Sequence, residues 1–188
     1  MFPAVRQVSG VRRVVWICGQ PASGKSWLAE RLAASLAVPA YSIDGERCRL
    51  LRPGERWPSN DVLAWLSLKR AIDGQPRCIV ETGGMSGREG TLFAGVSVFT
   101  IGCSVRRPVQ VARLRERSRR GYWMARGERG YARRLAEIPA PTVPVAMIWD
   151  SSETPTSEAA FRAVANAARM FLFAEAAEED VGKWASGL

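Results

Sequence analysis

The sequence predicts an α/β protein in three layers: a five-stranded parallel sheet with helices on both faces. Short apolar runs with strand character alternate with helical segments along most of the chain, the pattern of a parallel sheet built from crossover units. The first such run leads directly into a glycine-rich loop that opens a helix. No internal repeat or long linker divides the 188 residues, so they are read as a single domain over 1–188, long enough to bury a core.

The elements follow in order. Residues 13–18 (RVVWIC) form a short buried strand. Residues 26–37 form a helix, with Leu28, Leu32 and Leu36 four apart on one face. Pro39 ends it, and 40–43 make a second strand that stops at Asp44. Residues 45–58 hold turn residues and charges. Asn60 caps a helix through Ile72, which Gly74 closes. Residues 77–82 (RCIVET) are a third strand, followed by Gly83 and Gly84, and 96–103 a fourth. Pro108 starts an arginine-rich helix to about 120; 143–150 are a fifth strand; Pro155 opens a helix to about 173. The alanine-rich end, about 174–188, is a further helical tail with an acidic cluster.

Composition excludes several chemistries. There is no histidine, so His-based triads, His metal clusters and a His general base are ruled out, leaving Asp or Glu as the first candidates to accept a proton. The four cysteines, at 18, 48, 78 and 103, form no Cys-x-x-Cys pair and read as reduced thiols rather than disulfides or metal ligands. No apolar run reaches the roughly 20 residues of a membrane span, and no signal-peptide core follows the N-terminus. The expected setting is the cytoplasm.

Gly19-Gln20-Pro21-Ala22-Ser23-Gly24-Lys25-Ser26 has the spacing Gly-x4-Gly-Lys-Ser between a strand and a helix. Such a loop turns backbone N–H groups toward phosphate oxygens at a helix N-terminus that already favours anions. Gly19, Ala22, Ser23, Gly24, Lys25 and Ser26 are therefore expected to hold ATP, with Lys25 on the β- and γ-phosphates and Ser26 on Mg²⁺. Asp44, at the end of the second strand, is placed to orient and deprotonate an acceptor hydroxyl. Arg47, one helical turn on, is placed to hold an anionic group of that acceptor.

These features, with Ile43-Asp44-Gly45-Glu46-Arg47, the strand ending Glu81-Thr82-Gly83, the arginine-rich helix, and Trp149-Asp150-Ser151-Ser152 before Thr154-Pro155, resemble the small P-loop kinases. The nearest in style are phage polynucleotide 5′-kinases and their relatives, including zeta-toxin-like and chloramphenicol-phosphotransferase-like kinases. Phage kinases that phosphorylate 5-hydroxymethyluridine within DNA look similar in length and motif order. The resemblance covers about residues 13–170 and implies the P-loop NTPase fold, a base at Asp44, an acceptor-phosphate contact at Arg47, and a lid over about 106–135. Arg113 and Arg117 would close on the γ-phosphate, with Arg120 nearer the acceptor. The loop at Thr154 and Pro155 would lie beside the nucleotide base. The chain departs from these families in two places. Trp27 stands in the nucleotide-binding segment where a small residue is common. Glu81 stands where an Asp is common; it is assigned to the acceptor hydroxyl or to a Mg²⁺-bound water.

Charge is concentrated. Residues 106–134 contain eleven arginines and two acids, and that segment carries the whole net charge of +9. ATP alone cannot use so many cations. A polyanionic acceptor such as DNA would, and Tyr122, Trp123 and Tyr131 among them are suited to stack on bases. The expected activity is transfer of the γ-phosphate of ATP to a hydroxyl on nucleic acid. The 5-hydroxymethyl group of 5-hydroxymethyluridine in phage DNA is the first choice and a polynucleotide 5′-hydroxyl the next. A kinase for an antibiotic, a sugar or a nucleotide sugar is the alternative. Nothing in the sequence sets the oligomeric state.

Overall fold

The structure, a computed structural model, describes residues 11–52, 61–119, 135–153 and 157–174. Its elements are β1 (Arg13–Gly19), α1 (Lys25–Leu36), β2 (Ala40–Ser42), α2 (Ile43–Leu50), α3 (Asp61–Asp73), β3 (Arg77–Glu81), α4 (Glu89–Leu92), β4 (Ser97–Ser104), α5 (Arg107–Arg119), β5 (Met147–Asp150) and α6 (Glu158–Phe173). The five strands form one sheet in the order β2-β3-β1-β4-β5, and every pairing is parallel. This is the expected three-layer α/β fold, with β1 at the centre.

β1 is apolar almost throughout because both of its faces are covered. Val15 and Ile17 point into a core shared with Leu28, Leu32 and Leu36 of α1 and with Phe161, Val164, Ala165, Ala168 and Leu172 of α6. Val14 points the other way, among Ala64, Trp65, Leu68 and Ile72 of α3, Val80 and Leu92. The leucine stripe expected on α1 is thus buried; each such side chain contributes about 1.5–3 kcal/mol. α1 ends where Ala37 turns left-handed at φ 53° and Val38 N–H donates to the Ala33 carbonyl. Among the described residues no helix is long and apolar enough to cross a membrane.

The structure corrects some boundaries. β2 stops at Ser42, and the stretch read as turn begins with α2, capped by Ser42 Oγ, which accepts from Gly45 N–H at 3.4 Å. Asp44 therefore lies in the first turn of a helix rather than at a strand end. β5 covers only the second half of the expected 143–150. Pro144 has no N–H to give a ladder, and Val145 instead packs over Gly102 of β4. α6 starts at Glu158 on a Ser157 cap. Arg120, the stacking aromatics Tyr122, Trp123 and Tyr131, Thr154, Pro155 and the tail from 175 lie outside the described residues.

Candidate active site

A cleft of about 300 Å³ opens at the carboxyl end of the sheet, where parallel α/β proteins bind ligands. One wall is the loop after β1, contributing Gly19, Pro21, Ala22, Gly24, Lys25 and Ser26. Its shape needs unusual backbone. Gly19 and Gly24 have φ of 150° and 86°, and a Cβ on Gly19 would lie 2.4 Å from the Cys103 carbonyl oxygen. Ala22 is left-handed at φ 61°, a conformation that costs a non-glycine residue about 1–3 kcal/mol and persists only where its surroundings hold it. Lys25 Nζ donates to the Gln20 carbonyl at 2.9 Å, reaching across the loop it belongs to. Burial lowers the Lys25 pKa, against the opposing pull of Glu81, Cys103 and Asp44. A half-buried amine beside the glycine-rich loop at a helix N-terminus favours an anionic occupant.

The facing wall comes from β2, α2 and β3. Glu81 ends β3 directly beside Ser42 in the sheet register. Its carboxylate accepts from Ser26 Oγ at 3.1 Å and from the Ser42 side chain. Burial raises the Glu81 pKa despite the nearby Lys25. Ser26 and Glu81 together form an oxygen-only donor pair, which suits a hard cation such as Mg²⁺. Among the described residues no cluster of three or more Cys, Asp or Glu could hold a metal by itself, so phosphate oxygens and water would complete its shell.

Asp44 and Arg47 both line the cleft, and the Asp-x-x-Arg spacing brings them into contact with each other: Arg47 Nη1 donates to Asp44 Oδ1 at 2.9 Å. Arg47 also pairs with Asp61 at the start of α3, and Arg88 pairs with the other oxygen of Asp61 at 3.2 Å. Arg47 is therefore held from two sides rather than swinging in solvent. Asp44 is largely exposed, open to an incoming group.

The arginines of α5 divide. Arg117 lines the cleft; Arg113 does not. Arg113 Nη1 donates to Ser151 Oγ at 2.8 Å and to the Ala22 carbonyl at 3.3 Å, and Nη2 donates to the Ser151 carbonyl at 2.5 Å. Arg113, expected to close on the γ-phosphate, is held here by the Ala22 carbonyl and both Ser151 oxygens. Trp27 is likewise directed away from the cleft, stacked on Trp149 with ring centroids 5.9 Å apart and with Arg31 over its face. Ser23 is fully buried, and its hydroxyl has no hydrogen-bond partner among the described residues.

Several lining residues were given no role from the sequence. Thr82, Gly83 and Met85 follow β3, and Leu135 and Ile138 close the top of the cleft. A buried network fixes the loop after β3: Thr82 Oγ1 accepts from Trp16 Nε1 at 2.9 Å and from Gly84 N–H at 3.1 Å, and Ser86 Oγ donates to the buried Glu89 at 2.7 Å.

No protein-family model matches the chain, and no curated protein matches it in sequence. Solved structures do match in fold. A provisionally named kinase from Chloroflexus aurantiacus is 19% identical, with a TM-score of 0.68 over 87% of this chain and 97% of its own. Shikimate kinase from Bacteroides thetaiotaomicron is 18% identical, with a TM-score of 0.56 over 86% and 98%. The Mycobacterium tuberculosis APS kinase, solved with AMPPNP and APS, is 17% identical, with a TM-score of 0.52 over 87% and 98%. The chain has the three-layer fold of these P-loop kinases.

Proposed function

We propose that this chain is an ATP-dependent phosphotransferase that moves the γ-phosphoryl group of ATP to a hydroxyl. The carrying observation is that one cleft joins the phosphate loop and Lys25 to two carboxylates, Asp44 and Glu81, beneath Arg117. In this reading the backbone N–H groups of the loop and Lys25 hold the phosphates, and Arg117 offsets charge that spreads over the γ-phosphoryl oxygens in the transition state. Asp44 accepts the proton of the acceptor hydroxyl. That oxygen forms a bond to the γ-phosphorus as the bond to the bridging oxygen breaks, and ADP leaves. Ser26, with Glu81 beside it, holds Mg²⁺, which supplies neutralisation of phosphate charge. Arg47, braced by Asp61, receives an anionic group of the acceptor.

For the acceptor we infer nucleic acid, with the 5-hydroxymethyl group of 5-hydroxymethyluridine in DNA first and a 5′-hydroxyl end next. Arg106, Arg107, Arg115 and Arg119 are exposed on or just before α5, apart from the cleft-facing Arg117, and suit a chain of phosphates. Transfer to a base within DNA would need that nucleotide unstacked or flipped out of the duplex. A second reading, a small anionic alcohol, draws on the names of structures with the same fold, shikimate kinase and APS kinase among them. The test offers labelled ATP with plain DNA, hydroxymethyluracil-containing DNA, 5′-hydroxyl oligonucleotides, RNA, nucleosides, hydroxy acids and sugars. Label on DNA that disappears with Asp44→Asn is the expected result. Label on a small alcohol alone would select the second reading, and no transfer to any hydroxyl would remove the kinase assignment.

A further inference from the structure

The phosphate loop is held from outside by α5. Gln110 is 1% exposed, and its Nε2 donates to the Pro21 carbonyl at 2.9 Å. One turn later Arg113 donates to the Ala22 carbonyl and to both Ser151 oxygens, tying the loop to the end of β5. Leu114 and Ala136 pack on the Ala22 side chain. Across the loop Gln20 Nε2 donates to the Ile138 carbonyl at 2.6 Å. Three consecutive loop residues, 20–22, are thus clasped through side chains or carbonyls that play no part in a ring of N–H donors.

The clasp falls where the loop is strained. Ala22 is the one non-glycine of the loop with positive φ, and a buried amide in the left-handed region relaxes unless its carbonyl is fixed. Gln110 and Arg113 hold two consecutive carbonyls, those of Pro21 and Ala22, while the Ser23 N–H donates to the Gln20 carbonyl at 3.2 Å, so the loop is fixed both from outside and across itself. Ser151 serves the same end. It touches the position a Cβ on Gly24 would occupy, at 3.2 Å, so β5 and Arg113 together limit where the loop can go.

We propose that Gln110 and Arg113 are positioning residues that preset the phosphate loop in its anion-binding shape before any nucleotide arrives. This rests on reading the cleft as a nucleotide site, but the clasp itself is made by protein groups alone. It reassigns Arg113 from a phosphate contact to a brace, and it gives a role to Gln110, which no motif marks.

The test compares the full chain with Gln110→Met, Arg113→Met and Arg113→Lys. Gln110→Met preserves volume and removes only the donor. Calorimetric titration with ADP is expected to give binding roughly tenfold weaker in Gln110→Met and Arg113→Met, the scale of one buried hydrogen bond, with Arg113→Lys recovering part of the loss. Hydrogen exchange of the nucleotide-free proteins is expected to speed up at residues 20–25 while the central strand β1 keeps its protection. ADP affinity within twofold of wild type in both Met variants would overturn the proposal. So would unchanged exchange at 20–25, or faster exchange spread over the whole sheet, which would make the two residues merely structural. Wild type that fails to bind ADP would count against the nucleotide reading, and the exchange measurement would still judge the clasp.

Discussion

Glu81 shows how a single residue is set by its surroundings. It sits across from Ser42 in the sheet, accepts from two serines, and has Lys25 as a cationic neighbour, yet burial dominates and raises its pKa above the ordinary 4.5. The folded protein then binds the proton more tightly than the unfolded chain. The Glu81 contribution to stability is therefore full below about pH 4.5 and is lost as pH rises through the folded value. Glu81→Gln is expected to flatten that fall. Urea denaturation at pH 4 and pH 7 should show a smaller loss of stability in the variant than in wild type, and equal losses would contradict the assigned direction. Asp44 differs: it is more than half exposed, and its partner Arg47 has a second carboxylate in Asp61. Asp44→Asn is expected to change stability by no more than about 0.5 kcal/mol. Phosphoryl transfer should fall roughly 10²–10⁴-fold with ADP binding nearly intact. Equal turnover in variant and wild type would remove Asp44 from the chemistry.

α5 carries two surfaces, separated as the helical spacing of its arginines implies. Gln110, Arg113 and Arg117 face the loop and cleft, while Arg107, Arg115 and Arg119, spaced at multiples of four, share an exposed stripe. Replacing those three with glutamine is expected to lower the salt dependence of DNA binding, reducing the log–log slope by about 2–3, while ADP affinity holds. An unchanged slope would take this face out of the acceptor reading. The same helix marks the limit of what could be read from the chain. Strand and helix order was legible because parallel strands are apolar on both faces and α1 repeats leucine every fourth residue. α2 was not. Only Ile43 of it is buried, so no apolar stripe announces it, and a Ser42 cap and the Glu46–Arg49 ion pair take that place. The phosphate loop was legible because its backbone demands glycine at fixed spacing. The clasp was not, because a glutamine 89 residues from Pro21 gains its meaning only from the turn that lays α5 against the loop.

At the scale of the whole molecule, the core and the site have opposing demands on the same central strand. β1 is buried between two layers, and the loop that follows it must present a charged, half-buried lysine at the start of α1. Burial lowers the Lys25 pKa, so the empty site bears the cost of that amine until an anion arrives. Lys25→Ala should therefore leave the ligand-free melting temperature unchanged or slightly higher. Its loss should appear only with nucleotide. A ligand at a hundred times its dissociation constant adds about 2.7 kcal/mol to stability, which for a domain of this size is an upward shift of about 5–10 °C. Wild type should show that shift with Mg²⁺ and ADP, and Lys25→Ala should lose most of it. A variant that melts well below wild type without ligand would mean that Lys25 holds the fold together through the Gln20 carbonyl. A full shift in the variant would mean that the phosphates are held by backbone alone. The expected pair of results, an unharmed empty protein and a missing ligand response, follows only if the sheet is stable enough to carry a partly desolvated cation that serves the site and not the core.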